Sequence, residues 1–202
     1  ETEDVRVSQC FGKVLVREIW HPRDINRKGE LFGFGRRLTI LPSSGVEVSL
    51  NNEPNYVIRS VEAASFEINE NQDFDFHSGS FCLSSLEKNS RCSIKSPLTE
   101  LFVESDDPFA IMLAVTTNGG LKIIGLLGEI ELKQKQKKSI SLRPGQLVFS
   151  LTDGFSRKMN VELSTLMVTS KLMTAFDEPP AFYKKLKQQA LIQALRTKKR
   201  FK

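Results

Sequence analysis

The chain has 202 residues, of which 40% are hydrophobic, including 14 phenylalanines and one tryptophan. This composition excludes an intrinsically disordered chain, and no apolar run approaches the ~18 residues that a membrane-spanning helix needs. Residues 183–202 hold eight basic residues and no acid, so against the overall net charge of +5 the remaining residues carry a net −3. A body that binds nucleic acid broadly is expected to be basic, so we expect no nucleic-acid partner.

The first three-quarters of the chain alternate between apolar and polar residues, which is typical of half-buried strands. The pattern is clear at 46–50, 65–68, 73–77, 129–132 and 139–142, and turn residues separate these segments. Their spacing of roughly ten residues is typical of all-β domains. The sequence therefore predicts a mainly β fold, with a solenoid-like or sandwich-like body of many short strands over residues 1–155.

Two segments of this body are continuously apolar and are expected to be central strands. They are AIMLAV at 110–115 and LKIIGLL at 121–127, separated by Asn118, Gly119 and Gly120. Asn-Gly is a strong turn signal, so this pair is predicted to form a hairpin.

The hydrophobic period changes near residue 160 and predicts a helical appendage over residues 156–202 with a basic tail. A short helix is expected between about 161 and 176, and DEPP at 177–180 starts a second helix. The second helix has one apolar stripe at helical spacing, formed by Phe182, Leu186, Ala190 and Ala194 with Tyr183, Leu191 and Leu195. This stripe either packs on the sheet or docks into the groove of a partner. The lysine face is either a solvated surface or a site for an acidic partner, an anionic membrane surface or nucleic acid.

The order of segments from Phe11 to Leu151 resembles the FecR domain of bacteria. The segments that carry the resemblance are, in chain order, GKVLV (12–16), RKGELFGFG (27–35), LTI (38–40), SSGVEVSL (43–50), FDFHSGSF (74–81), SP (96–97), GEIEL (128–132) and ISLRPGQ (140–146). The R-G-T tripeptide that is common in the family has no counterpart at 101–108, and we see no signalling subdomain after the β region. The chain is therefore similar to a divergent member of this family.

The resemblance implies an extracytoplasmic, solenoid-like domain that relays signals or acts as a scaffold, with no catalysis and no cofactor. We accordingly expect a protein partner in the bacterial cell envelope, and a signal peptide that is removed or lies outside this sequence. The candidate partner-binding residues are Trp20, His21, Phe182, Leu186, Leu191, Lys184, Lys185 and Arg196. Contact between the basic tail and a membrane surface is a further expectation.

The alternative function is an all-β module that binds carbohydrate or another polar ligand, with Trp20 and exposed phenylalanines as its platform. Trp20, His21 and Pro22 are expected to end a strand, with the indole covering the core. An exposed indole on a concave surface would instead favour ligand binding.

Other candidate sites have simpler interpretations. Asp73, Asp75 and His77 share one face of a strand and carry metal-ligand chemistry, but a solvated strand face explains them as well. The glycines between 29 and 35 are expected to be bends and turns, because no lysine or helix start follows them in the register of a phosphate loop. No catalytic motif is present, so we expect no enzyme.

Three cysteines leave an odd count. Cys82 and Cys92 form a disulfide in one interpretation, and are buried unpaired thiols in adjacent strands in the other, which we prefer. Their spacing excludes a C-x-x-C zinc site.

Overall fold

The computed structural model describes residues 5–50 and 54–200, with Lys199 and Arg200 described by their backbone alone. The strands in these residues are β1 (Val5–Phe11), β2 (Val14–Arg17), β3 (Pro22–Ile25), β4 (Leu31–Phe32), β5 (Arg36–Ile40), β6 (Gly45–Leu50), β7 (Tyr56–Asn69), β8 (Asp73–Ser85), β9 (Ser90–Lys95), β10 (Glu100–Ser105), β11 (Phe109–Val115), β12 (Leu121–Leu127), β13 (Ile130–Gln134), β14 (Ile140–Leu142), β15 (Gln146–Leu151), β16 (Gly154–Phe155) and β17 (Met159–Asn160). The α-helices are α1 (Leu163–Thr169), α2 (Lys171–Thr174) and α3 (Tyr183–Arg200), and a short 3-10 turn links β7 to β8.

The strand pairings form two sheets that share the long strands β7 and β8. Sheet 1 runs β4-β1-β6-β7-β8-β11-β12-β15, with β16 and β17 on the outer edge of β15. Sheet 2 runs β3-β2-β5-β7-β8-β9-β10-β13-β14. Among the described residues, only the β8–β9 ladder is parallel. The predicted mainly β fold is confirmed, and its form is the sandwich rather than the solenoid, whose coils pair in parallel.

The two sheets are joined at a bend in β7 and β8. The β7–β8 register shifts after Val61, where Glu62 adopts a positive φ of 62°. On the facing strand Gly79 has a φ of 99°, and a Cβ there would lie 2.4 Å from the Cβ of Ala64. Only glycine fits this close approach, and such a bulge turns a strand sharply enough to pass from one sheet into the other.

The main core lies between the two sheets. The inward residues of both sheets are buried, and an aromatic cluster fills the region beside the bend. In this cluster the ring of Phe76 lies 4.3 Å from that of Phe81, and Tyr56 lies 5.4 Å from Phe74. The alternation in β7 and β8 places these rings inward because neighbouring residues of a strand point to opposite faces.

A second core lies on the outer face of sheet 1, where the helices pack. Sheet 1 contributes Ala110, Met112, Ile124 and other residues, and the helices contribute a matching set of leucines, methionines and phenylalanines. The molecule therefore has three layers, in the order sheet 2, sheet 1 and helices. Sheet 1 is apolar on both faces, which explains the continuous apolar runs of β11 and β12.

Most predicted elements occur where the sequence placed them. The hairpin at Asn118–Gly120 joins β11 to β12. The one short helix predicted at about 161–176 is instead two short helices, α1 and α2, and the second predicted helix, α3, begins at Tyr183, after the prolines. Residues 1–4 and 51–53 and the tail residues Phe201 and Lys202 lie outside the described residues.

Candidate functional site

Three neighbouring strands of sheet 1 carry a buried polar cluster on the face that the helices cover. Gln9 of β1, Glu47 of β6 and Arg59 of β7 stand opposite one another in register. The Arg59 Nε donates to Glu47 Oε2 at 2.7 Å, and Gln9 Nε2 donates to Glu47 Oε1 at 3.1 Å. Arg59 is only 1% exposed, so its charge is compensated almost entirely by these protein groups.

This cluster also binds the chain that connects α2 to α3. Arg59 donates to the carbonyl oxygens of Leu172 and Glu178 at 3.3 and 3.0 Å, and its guanidinium lies 4.3 Å from the ring centre of Phe176. The Glu178 N–H in turn donates to Gln9 Oε1 at 3.1 Å. We call Gln9, Glu47 and Arg59 the latch, because together they bind residues 172–178 to sheet 1.

Helix α3 is attached by one face to this layer. Phe182 and Leu186 are 2% and 1% exposed and pack in the second core with Ala190. One turn later Gln193 Oε1 accepts from the Leu163 N–H at 2.9 Å, and its Nε2 donates to the Val161 carbonyl at 2.7 Å. From Ala194 onwards, all the described side chains of α3 are exposed.

The opposite face of α3 carries a second apolar stripe, formed by Leu191, Ile192 and Leu195. These side chains are 62%, 41% and 53% exposed. The exposed basic side chains on the same helix are Lys184, Lys185, Lys187, Arg196 and Lys198. Residues 191 and 195 lie about one turn apart and so share a side of the helix. This outward stripe and its basic surroundings form the first candidate site.

Two of the predicted partner-binding residues therefore have another role. Phe182 and Leu186 are buried against the chain's own sheet, so they present no surface to a partner. Leu191, Lys184, Lys185 and Arg196 are exposed on α3. Packing on the sheet is confirmed for Phe182, Leu186 and Ala190 of the predicted stripe. The prediction was wrong in placing Leu191 and Leu195 on the same face, because both are exposed on the other side of α3.

Trp20 lies in the loop between β2 and β3, and its indole is 91% exposed. The interpretation that it covers the core is therefore wrong. The core beneath this end of sheet 2 is closed by Val14, Val16 and Ile25, which leaves the indole no buried position. His21 is also exposed.

The exposed loop borders a groove of about 360 Å³ on the outer face of sheet 2, which we call the Trp20 groove. Its floor is formed by Leu15 and Thr39, which stand opposite each other on β2 and β5. Residues 18–21 of the loop form one wall, and Arg17 and Arg37 also line the groove. An exposed indole beside a concave surface is the arrangement that favours ligand binding at this loop.

The row Asp73, Asp75 and His77 does point away from the core, as predicted, but its members bind different neighbours. Asp75 Oδ2 accepts from the amide of Asn69 at 3.1 Å, and His77 Nε2 lies 3.4 Å from Glu67 Oε1. The His77–Glu67 contact has the distance of an ion pair but not the geometry of a hydrogen bond, so His77 Nε2 is buried without a hydrogen-bond partner. The same is true of the second carboxylate oxygen of Asp75, Oδ1. In the described part of the chain, no three His, Cys, Asp or Glu side chains converge as a metal site would require.

All three cysteines are free thiols. Cys82 faces the helices in the second core, and Cys92 faces the interior of the sandwich. Cys82 is on the outer face of sheet 1, and Cys92 is on the inner face of sheet 2, on strand β9. Sheet 1 therefore separates the two thiols, which cannot form a disulfide in this fold, so the preferred unpaired interpretation is confirmed. Burial raises the pKa of the Cys82 thiol to about 12 and that of Cys92 still higher.

Gly29 and Gly35 lie in turns, as predicted. Gly29 and Gly35 have φ values of 89° and 71°. A Cβ atom added at either position would have no other atom within 4 Å. Their N–H groups donate to the carbonyls of Val7 and Ile68, so they are used within the fold.

The latch was missed by the sequence analysis. Its signal is Arg59 in the segment YVIRSV, where a charged residue interrupts an otherwise apolar strand. Such a residue is buried only when a partner compensates it, and the partner, Glu47, lies on a different strand.

Comparisons with known proteins give a fold likeness alone. No protein-family model matches the chain, and no curated protein matches it. Two crystal structures of a "putative anti-sigma factor" from Parabacteroides distasonis are similar to it, each with 9% identity and a TM-score of 0.49. Each match covers 68% of this chain and 64% of that one, so the chain spans less than two-thirds of their length. None of the helices in the described residues is both long and apolar enough to cross a membrane.

Proposed function

We propose that the chain is a non-enzymatic protein-interaction domain, and that the outward stripe of α3 is its partner-binding surface. The observation that carries the proposal is that α3 has two apolar faces. One face, with Phe182 and Leu186, is already buried on sheet 1, and the other, with Leu191 and Leu195, is exposed.

A helix that only covers a sheet is expected to be polar on its outer side. Here the outer side instead carries Leu191, Ile192 and Leu195 within two turns. A contiguous exposed apolar patch rimmed by charge is typical of a protein-interaction site. The packing of α3 on the body does not account for this stripe.

The helix is also held in a defined position, which lowers the entropic cost of binding. The latch binds the chain before α3, and Gln193 joins the helix to the start of α1. Beyond Gln193 the described side chains of the helix are exposed. A groove of about 640 Å³ separates this part of the helix from residues 160–164. A partner segment has access to both the outward stripe and this groove.

Charge complementarity indicates the chemistry of the partner. The described side chains of α3 include five cations and no carboxylate. We therefore propose an acidic segment of another protein, with apolar residues that cover Leu191 and Leu195. Electrostatic attraction of this kind speeds association and selects the partner, and the apolar contact supplies most of the affinity.

The cellular setting of the proposal comes from the resemblance to the FecR domain. We propose that the chain acts as a relay or scaffold in the bacterial cell envelope and is a divergent member of that family. The polar clusters of the described residues also support a non-enzymatic role, because the latch and the Arg37–Glu67 pair are occupied by contacts within the fold.

The test is site-specific photocrosslinking in cells of the source bacterium. A photoreactive phenylalanine analogue is placed at Leu191 or Leu195, and as a control at Phe102, which is 43% exposed on β10 of sheet 2. We expect one protein to crosslink from the two helix positions and not from Phe102. That protein is then purified and titrated against the wild-type chain and the L191E/L195E double variant.

We expect the double variant to bind at least tenfold more weakly, with an unchanged melting temperature because both side chains are exposed. The affinity of the wild type should fall as salt is added. Equal crosslinking from Phe102 would contradict the proposal. A crosslink to a second copy of the chain, or binding to anionic vesicles without any protein crosslink, would replace it with self-association or membrane attachment.

A further inference from the structure

We infer that the Trp20 groove is a binding site for an acidic oligosaccharide, separate from the surface on α3. The indole of Trp20 forms the stacking face, and Arg17 supplies the positive charge for a ligand carboxylate. The site lies on the outer face of sheet 2, whereas α3 packs on the far side of sheet 1. The inference therefore does not depend on the proposed partner surface.

The exposure of Trp20 is the first argument. At 91% exposure, the indole gains almost no stabilisation from the fold. An indole stacks well on the apolar C–H face of a sugar ring, because its flat π surface buries a large area with little loss of side-chain entropy. The polar surroundings, with Arg17, His21 and Thr39 in the same groove, suit the hydroxyl groups at the edge of such a ring.

The charge of the groove is the second argument. Arg37 forms an ion pair with Glu67, and its Nε donates to Glu67 Oε1 at 2.6 Å. Arg17 is exposed and lines the same groove, and its side chain has no ion-pair or hydrogen-bond partner among the described residues. A free guanidinium beside an aromatic platform favours a carboxylate, which it binds through two parallel hydrogen bonds.

The loop that carries Trp20 is anchored, which is the third argument. Glu18 accepts from Arg23 Nε at 3.1 Å and lies 3.9 Å from Arg36 Nη1. Arg23 also donates to Glu30 Oε2 at 2.9 Å. The wall of the groove is thus held by ion pairs to β3 and β5, so binding requires little ordering of the loop.

The size of the groove agrees with this ligand class. Its volume of about 360 Å³ lies at the lower end of the range for small-molecule sites, roughly 300–1,000 Å³. One or two sugar rings therefore fit, and the rest of a chain would run over the surface. The one exposed indole beside this open groove differs from a protein hot spot, where an aromatic anchor inserts into a fully desolvated pocket.

Trp20 is the only tryptophan in the chain, so its fluorescence reports directly on this groove. The test titrates the full chain with trigalacturonate, and in parallel with the neutral trisaccharide maltotriose, while Trp20 emission is recorded. We expect trigalacturonate to shift the emission to shorter wavelength and to bind at least tenfold more tightly than maltotriose. Calorimetry supplies the affinity for variants that lack the indole.

Three variants locate the site. W20A should abolish trigalacturonate binding, and R17Q should weaken it about tenfold while leaving the weak maltotriose response unchanged. R157Q is the matched control at an exposed arginine outside the groove, and it should bind like the wild type. All three side chains are exposed, so none of these changes should lower the melting temperature.

Several results would overturn the inference. These are no emission shift with either saccharide, equal affinity for the charged and neutral ligands, or equal losses in R17Q and R157Q. Loss of the photocrosslinked protein in W20A would make the loop a protein contact instead. L191E/L195E should bind trigalacturonate normally, so failure of the helix proposal and failure of this inference give different results.

Discussion

The latch allows a quantitative prediction for the variant Arg59→Met. The side chains of Arg59 and Glu47 are only 2% and 12% exposed, and their charged atoms are 2.5 Å apart. Removing the guanidinium leaves a largely buried carboxylate whose remaining described contact is the Gln9 amide. Breaking a buried ion pair in this way costs about 3–5 kcal/mol of unfolding free energy. For a chain of this length, such a loss lowers the melting temperature by roughly 6–20 °C.

A matched control separates burial from charge. The Arg37–Glu67 pair has a similar length of 2.6 Å, but its side chains are 41% and 21% exposed. Solvent screens such a pair, so Arg37→Met should cost no more than about 1 kcal/mol. The double variant Arg59→Met/Glu47→Leu should be more stable than Arg59→Met, because no unpaired charge remains buried.

The assay is urea unfolding followed by far-UV circular dichroism, because the exposed Trp20 has little change of environment to report. Limited trypsin digestion adds a local readout, since release of residues 172–178 should speed cleavage at Lys171. The reasoning is refuted if Arg59→Met and Arg37→Met lose the same stability. It is refuted equally if the double variant is the least stable of the three.

Three further predictions concern the thiols and the helical layer. In the native protein Ellman's reagent should react with Cys10 at most, and with all three thiols after denaturation, because Cys82 and Cys92 are buried. Since burial raises the pKa of Cys82 from 9.0 to about 12, the folded state retains a proton that the unfolded state loses. This contribution to stability should therefore decline from pH 9 upwards, and Cys82→Ala should lessen the decline. Truncation after Asn160 should expose Ala110, Met112 and Ile124 and give an aggregating protein that binds a hydrophobic dye. A soluble, cooperatively folding fragment would show that the β body is an independent domain, close to the predicted boundary at residue 155.

Much of the architecture could be predicted because its signals are local. The alternation in β6 and β8, the Asn118-Gly119 turn and the change of period near residue 160 each reflect steric rules that act within a few residues. The same periodicity identified Phe182 and Leu186 as members of one apolar stripe on α3, although it also assigned the exposed Leu191 and Leu195 to that stripe. These features follow from the chain itself, whichever elements it later packs against.

The candidate sites depended on contacts between distant segments. Arg59 and Glu47 meet on two neighbouring strands, and Arg59 also binds residues 172 and 178. Cys82 and Cys92 are separated by the whole of sheet 1.

By itself the sequence determined the strands, the hairpin, the helical C-terminal region and the basic character of α3. The tertiary structure decided that the body is a sandwich, that Trp20 is exposed beside a groove, and that α3 leaves Leu191 and Leu195 uncovered. The reason is physical. The hydrophobic pattern of a segment determines which of its residues share a face. Whether that face is buried depends on the layer that packs on it, and that layer comes from another part of the chain.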